Sequence, residues 1–318
     1  MLPAYLFVRP WGNILFLLLI KRFLKSKASR VFGNSYLQNS SKQLIYRLLC
    51  AKIKTTEDRK GGRDMDQYKE LAGLRCFTRG DLVQITGSES AAQRQIKKYL
   101  DKGFIERVRR DLYAVISLET EQPIPSRYQI ASRISDDSFV SHHSAFEFYG
   151  YANQVFYDVY FGTEKRVRPF EYDGLNYQPV VWRSIAGIRE TNAGVRVTSL
   201  ERTVIDSIAD FPRIGGLEEL LRCLALIPSL DEESLLEALE IYGRGQLYQK
   251  AGYILETYKD ELSLSDMFFE ECEKQISVSK TYLFDKQGDF VFHKKWMLYA
   301  PKDLKKIVDK GVSDYDAV

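Results

Sequence analysis

Histidine and cysteine are scarce in this chain of 318 residues, with three and four respectively. The cysteines, Cys50, Cys76, Cys223 and Cys272, lie 26, 147 and 49 residues apart, so no pair has zinc-ligand or redox CxxC spacing. That excludes a zinc knuckle. The thiols read as free, mostly small buried hydrophobes in a reducing cytoplasm, and neither metal nor cofactor is expected. Also missing is an apolar run long enough for a bilayer. Ile14 to Ile20 is seven residues, against the roughly 20 a spanning helix needs. Lys21, Arg22, Lys25 and Lys27 follow that run instead of preceding it, and no A-x-A cleavage site appears, which excludes a secretory signal. No repeat period is present.

What is present is enough apolar material for real cores, 45% hydrophobic and 13% aromatic, in a length that suits two ordinary domains. The net charge of +3 is unevenly distributed. Residues 1–64 hold 13 basic residues against 3 acidic, leaving 33 against 40 for residues 65–318. Within that acidic remainder, Arg94, Lys97, Lys98, Lys102, Arg107, Arg109 and Arg110 face only Asp101 and Glu106. A basic island on an acidic body is the distribution of a protein that meets nucleic acid at one place.

Residues 1–64 form a basic leader unlike the rest. Met65 directly precedes the first organised helix pattern, so translation is expected to start there. The leader is then an upstream in-frame extension or a poorly ordered tail. A peripheral membrane anchor is the alternative, since basic residues beside a short apolar run bind anionic lipid.

From Met65 helical signals come in quick succession. Asp66 to Leu74 is a short helix; Thr78 opens a second with Asp81 as capping-box partner, and Gly87 ends it. Ser88 caps a third, in which Ala92, Ile96, Tyr99 and Leu100 make a core-facing stripe. The opposite face carries Ser90, Gln93, Arg94, Lys97 and Lys98. After Gly103, two strand-like runs, Ile105 to Val108 and Leu112 to Ile116, flank Arg109-Arg110-Asp111. Three short helices and a basic hairpin predict a winged helix-turn-helix over residues 65–118. Its third helix suits the major groove of double-stranded DNA, with Gln93 and Arg94 reading bases while Ser90, Lys97, Lys98, Arg107, Arg109 and Arg110 help to hold the duplex.

Residues 119–126 (ETEQPIPS) read as a linker, because proline disfavours helix at itself and at the preceding residue. Residues 127–310 then predict a larger mixed α+β domain. Arg127 to Ile134 is helical, Val155 to Phe161 a strand, and Val180 to Trp182 another strand after a turn at Tyr172-Asp173-Gly174. Helices dominate from Leu217. Strands return at Thr281 to Phe284 and, after a turn at 285–288, at Phe290 to Tyr299.

Two stretches of this domain hold chemistry-bearing residues. In Ser141 to Gly150 (SHHSAFEFYG), adjacent histidines diverge by about 100° on a helix and cannot share one ion unaided. No G-x-S-x-G elbow surrounds Ser141 or Ser144. The simpler expectation is that Ser141 or Ser144 caps a short helix with Glu147 as capping-box partner, that Phe146 and Tyr149 pack inward, and that Gly150 ends it. His142 and His143 then have structural or interaction roles, and no catalytic residue is assigned. In Val197 to Asp206 (VTSLERTVID), Thr198 and Glu201 have capping-box spacing, and Leu200, Val204 and Ile208 form a buried stripe. Glu201, Arg202 and Asp206 look like a catalytic cluster, yet Arg202 and Asp206 four apart are equally a helix-surface ion pair, and Thr203 belongs to the same motif.

RVRRDLYAV (Arg107 to Val115), SHHSAFEFYG, VTSLERTVID and KKWMLYAPKDL (Lys294 to Leu304, with Trp296) occur in the order and spacing of the AbiEi family. The chain resembles these antitoxins of type IV toxin-antitoxin systems, linked to abortive phage infection, over about residues 65–305. The resemblance implies a non-enzymatic antitoxin that represses its own operon by binding its promoter, and whose C-terminal domain antagonises a nucleotidyltransferase-type toxin without a stable complex. Asp111 departs from the family, which more often has glycine in the wing turn. Aspartate tolerates left-handed backbone, so the hairpin survives, although a carboxylate there opposes phosphate. Two other readings compete: a winged-helix transcription factor with a ligand- or partner-sensing C-terminal domain, and a nuclease-related protein. The latter needs acidic metal ligands and a Glu-x-Lys-like strand, which residues 250–318 lack.

Overall fold

The computed structural model describes residues 65–181, 183–284 and 290–308. The chain divides into two compact units, residues 1–69 and 70–318. The expectations for residues 1–64, Trp182 and the 285–288 turn lie outside the described residues. Among the described residues no helix is long and apolar enough to cross a membrane.

The second unit is mixed α+β with three sheets. It begins with the end of a helix that runs through residue 74, then strand β1 (Cys76–Thr78) and helices α1 (Arg79–Thr86) and α2 (Glu89–Asp101). Thr78 and Asp81 form the expected capping box, each satisfying the other's backbone N–H. Gly87 ends α1 at φ 76°, a left-handed conformation that glycine adopts without a Cβ penalty. Ser88 Oγ then accepts from the Ala91 N–H and starts α2. Ala92, Ile96 and Tyr99 are buried along one face of that helix. Strands β2 (Ile105–Arg109) and β3 (Leu112–Val115) form an antiparallel hairpin with a bulge between Arg107 and Arg109, and β1 completes the sheet in the order β1-β3-β2. Asp111 holds the hairpin turn at φ 65°.

Residues 117–124 fold back along this sheet: Ile124 N–H donates to Val115 O, and Ile116 pairs with Pro123 in a bridge. The chain then enters a six-stranded sheet of order β6-β7-β5-β4-β9-β8. Its strands are β4 (Phe139–Val140), β5 (Asp158–Gly162), β6 (Phe170–Tyr172), β7 (Leu175–Val180), β8 (Ile188–Glu190) and β9 (Arg196–Thr198). Pairings β4–β9 and β5–β7 are parallel and the other three antiparallel. Helix α3 (Arg127–Ser132) precedes the sheet, α4 (His142–Tyr149) joins β4 to β5, and α5 (Leu200–Ala209) follows β9.

One apolar cluster joins the hairpin to this sheet, combining Val108, Leu112 and Ala114 with Ile130, Val140, Val159, Phe161 and Val197. A second fills the helices that follow, α6 (Leu217–Leu226), α7 (Glu232–Tyr242), α8 (Gly245–Thr257) and α9 (Asp266–Gln275). A three-stranded sheet, β10-β12-β11, closes the described chain with Thr281–Tyr282, Leu298–Ala300 and Val291–His293. The expected single strand from Phe290 to Tyr299 is therefore two, broken at residues 294–297, where Met297 takes φ 49°.

Candidate functional site

The buried stripe of α2 dictates what its other face presents. Ser90, Gln93, Arg94 and Lys97 are exposed, and Lys98 is half-buried. On the hairpin, Arg107 is exposed with its guanidinium 5.8 Å from the Tyr113 ring centroid, and Arg110 is exposed at the tip. The Asp111 carboxylate is engaged by Arg79, with Nε 3.4 Å from Oδ1. Arg109 differs from the other arginines. Its guanidinium sits 5.3 Å from the Phe170 ring of β6, burial lowers its pKa from the usual range, and its buried Nη1 has no hydrogen-bond partner. Seven of the eight residues expected to meet a duplex thus share one helix face or the hairpin surface, while Arg109 turns toward the large sheet.

The histidine-bearing stretch forms α4, and its polar groups do different work from that expected. Ser141 stands at the N-cap but makes no side-chain cap bond. Ser144 and Glu147 make no capping box either. Ser144 Oγ accepts from Tyr160 N–H at 2.9 Å and lies 3.4 Å from Asp158 O, tying α4 to β5. Glu147 instead accepts from Phe156 N–H at 2.8 Å and Tyr128 OH at 3.3 Å, beside Arg127. These donors outbid the helix terminus because they reach a carboxylate that is nearly buried. Tyr149 is only partly buried, and its hydroxyl donates to Thr198 O at 2.7 Å.

His143 is fully buried between two carboxylates, with Nε2 3.4 Å from Glu219 and Nδ1 3.5 Å from Glu147, and it stacks on Phe156 at 3.7 Å. Glu219 also accepts from the backbone N–H groups of Asn153 and Gln154. Burial alone would raise its pKa. The hydrogen bonds from His143, Gln154 and Asn153 outweigh that and hold the carboxyl below its usual range. The group clamps residues 153–156 onto α4 and α6.

His142 lies on the other side of α4, buried, at φ 51°. Left-handed backbone in a non-glycine residue costs on the order of 1–3 kcal/mol and persists only where surroundings impose it. Here they do. Ser141 Oγ is 2.8 Å from His142 Nδ1 and 3.5 Å from Asp206 Oδ2. Asp206 also accepts from Tyr242 OH at 2.6 Å and lies 3.4 Å from Arg202 Nε. Burial holds the His142 imidazole below its usual pKa, against the charges of Asp206 and Asp210. Burial and then the Asp206 charge push the Tyr242 hydroxyl far above the phenol range, so it remains a donor. A carboxylate only accepts, so in the tautomer that carries its proton on Nδ1 the neutral imidazole donates to Ser141 Oγ while the serine hydroxyl donates to Asp206. In that arrangement Ser141 braces the histidine rather than being activated by it. Ser141, His142, Arg183, Arg202, Asp206 and Tyr242 line a cavity of about 70 Å³.

The Arg202–Asp206 pair is buried, contrary to the expected surface pair, with side-chain exposures of 3% and 5%. Arg202 Nη1 donates to the carbonyls of Ser184 and Ala186, anchoring the segment before β8. Ser199, not Thr198, caps α5 by accepting from Arg202 N–H; Thr198 Oγ1 is instead 2.7 Å from Thr203 Oγ1. Glu201 stands apart, facing Asp231 N–H and Arg189, so it does not join Arg202 and Asp206 at one point. Trp296 is separate again. It is buried against Gly252, where an added Cβ would fall 2.2 Å from the ring, and its Nε1 donates to Glu256. Tyr242, Glu219 and Arg183 carried no sequence signal because isolated residues gain meaning here only from long-range packing.

A larger cavity, about 530 Å³, opens where β1 and α1 meet α3 and β9, among Arg75, Asp81, Gln129, Arg133, Asp136 and Arg196. Arg133 Nη2 is 2.6 Å from Asp81 across it. Among the described residues no group of three or more His, Cys, Asp or Glu could hold a metal ion.

No family model matches the chain, and no curated protein matches it in sequence. Among solved structures it is similar to the crystal structure of RV2827C protein from Mycobacterium tuberculosis. The two share 16% identity at a TM-score of 0.51, over 76% of this chain and 93% of that one. At that identity the likeness is one of fold.

Proposed function

We propose that α1, α2 and the β2–β3 hairpin form a winged helix-turn-helix that binds double-stranded DNA, and that the protein is the antitoxin and autorepressor of a type IV toxin-antitoxin operon in the cytoplasm. The observation that carries the DNA reading is the division of α2: Ala92, Ile96 and Tyr99 are buried while Ser90, Gln93, Arg94 and Lys97 are exposed beside Arg107 and Arg110. Gln93 and Arg94 have the chemistry to pair bidentately with adenine and guanine, and the remaining cations suit phosphates. The test is a gel-shift titration of the protein on its own upstream DNA and on a scrambled duplex, at two salt concentrations. Selective, salt-dependent binding supports the reading; equal weak binding to both duplexes overturns it.

Support for the antitoxin role is the ordered set of motifs that resembles the AbiEi family. The motif residues are buried and hydrogen-bonded to one another inside the second domain, an arrangement that fits a structural part in toxin antagonism. Co-expression with the nucleotidyltransferase-type protein encoded beside it should restore growth. Unrelieved toxicity from a full, soluble dose of this protein would overturn the role.

One observation favours a second reading, a transcription factor with a sensing C-terminal domain. The 530 Å³ cavity is lined both by β1 and α1 and by α3 and β9, so a ligand there would touch the DNA-binding elements and the sheet together. A ligand-dependent change in operator affinity with no toxin gene alongside would select it.

A further inference from the structure

The hairpin's contacts with the six-stranded sheet fix which part of that sheet stands beside its tip. Arg109, next to the hairpin turn, has its guanidinium 5.3 Å from the Phe170 ring. Glu106, near the base of the same strand, accepts from Tyr172 OH at 3.2 Å. These two contacts align β6 with β2 so that residue 170 lies toward the tip and residue 172 toward the base. The chain therefore enters β6 from the tip side, and the segment just before it, residues 163–169, runs near the turn that presents Arg110. Val167 packs against the same apolar cluster as Val108 and Leu112, which flank that turn.

This segment is basic. Lys165, Arg166 and Arg168 are all exposed. Lys165 has a partner in Asp136 at 3.4 Å, whereas Arg166 and Arg168 have none among the described residues. Of the nearby acids, Glu164 is exposed within the segment itself, and Asp136 and Asp137 hold its start through Lys165 and the Glu164 N–H; those nearer the hairpin are placed less favourably for opposing an anion. Asp111 is engaged by Arg79, Glu106 by Tyr172, and Asp173 sits at the far end of β6. Glu171 alternates with Phe170 and Tyr172, which face the hairpin, and so projects from the opposite face of the strand. Two unpartnered guanidiniums beside a cationic wing tip match the phosphate backbone of a duplex, which binds arginine through planar paired hydrogen bonds.

We infer that the segment of residues 163–169 extends the DNA-facing surface beyond the wing, with Arg166 and Arg168 contacting phosphates that flank those reached by Arg107 and Arg110. The inference rests on the winged-helix reading and adds to it a contribution from the second domain. Each phosphate contact releases counterions and contributes about 0.9 to the slope of log K against log salt.

The experiment compares the full chain with its Arg166→Ala/Arg168→Ala variant on the upstream and scrambled duplexes across a salt series. The expected result is a slope about 1.8 shallower, with affinity reduced alike on both duplexes and selectivity between them retained. Arg166→Lys/Arg168→Lys should keep most of the slope, because charge is preserved. Arg244→Ala/Lys302→Ala, which removes two exposed cations of the C-terminal region, should leave the slope unchanged. An unaltered slope in the Arg166/Arg168 variant, or an equal fall in the Arg244/Lys302 variant, overturns the inference while the winged-helix reading stands. Absence of DNA binding by the parent protein overturns both.

Discussion

Ser141 and Asp206, 65 residues apart in sequence, meet with Oγ 3.5 Å from Oδ2 inside the second unit. This contact joins the N-terminus of α4 to α5 and holds His142 in a conformation it would not adopt unaided. The buried Arg202 guanidinium depends on the same carboxylate for its nearest opposite charge.

Removing Asp206 should therefore be severe. Asp206→Ala strands a buried arginine and is expected to destabilise the fold by about 3–5 kcal/mol. Ser141→Ala, which removes only a neutral bridge, should cost about 1 kcal/mol. Urea midpoints of the two variants against the parent measure both, and equal midpoints for Asp206→Ala and the parent would disprove the pairing.

Acid should unfold the protein in two stages set by buried groups. His142 has a folded pKa below its unfolded value near 6.5, so the unfolded state binds more protons between the two. Its contribution is fully present above pH 6.5 and is lost as pH falls toward the folded value. Glu219, also depressed, contributes above its unfolded value near 4.5 and loses that contribution at lower pH. Asparagine tolerates left-handed backbone, so His142→Asn should fold and should lose the first stage alone, as read from denaturation midpoints between pH 7 and 5.

On DNA, Arg94 and Arg110 should behave differently. Arg94→Ala is expected to cost about 1–3 kcal/mol on the operator and to relax the preference at one base pair. Arg110→Ala should weaken all duplexes alike and lower the salt slope by about one. Binding titrations on single-base operator variants separate these outcomes, and an unchanged Arg94→Ala profile would remove α2 from the reading position.

Gly252 should tolerate no side chain. A Cβ there overlaps the Trp296 ring at 2.2 Å, so Gly252→Ala is expected to destabilise by about 1–3 kcal/mol through overpacking. Thermal denaturation of this variant, which leaves the α2 face untouched, should show a lower midpoint with the DNA salt slope intact.

Local signals were legible where the chain's own neighbours decide the outcome. Thr78 with Asp81, Gly87 and Ser88 placed α1 and α2 correctly, because caps and left-handed turns act over three or four residues. The same capping-box spacing misled at Ser144 and Glu147, where Arg127, Tyr128 and Phe156 compete for the carboxylate. It misled again at Thr198, whose hydroxyl pairs with Thr203 while Ser199 caps the helix. Strands β4 and β9, of two and three residues, are too short to show alternation, so the six-stranded sheet was only partly visible. Arg202 and Asp206 have the spacing of any helix-surface pair. Only packing against Phe139, Ser141 and Tyr242 removes them from water, and no sequence window holds that information.

The chain between β3 and α3 is rich in proline and polar residues, yet a cut there would not release two self-sufficient halves. Val108, Leu112 and Ala114 share one apolar cluster with Ile130, Val140, Val159 and Phe161. A fragment ending at residue 118 would leave those hairpin side chains facing water, and its complement would carry the matching uncovered patch. Such fragments should aggregate or seek each other, so a mixture of the two is more soluble than either alone. Evolution could not readily have exchanged the hairpin and its helices for another module without remaking the sheet beneath them.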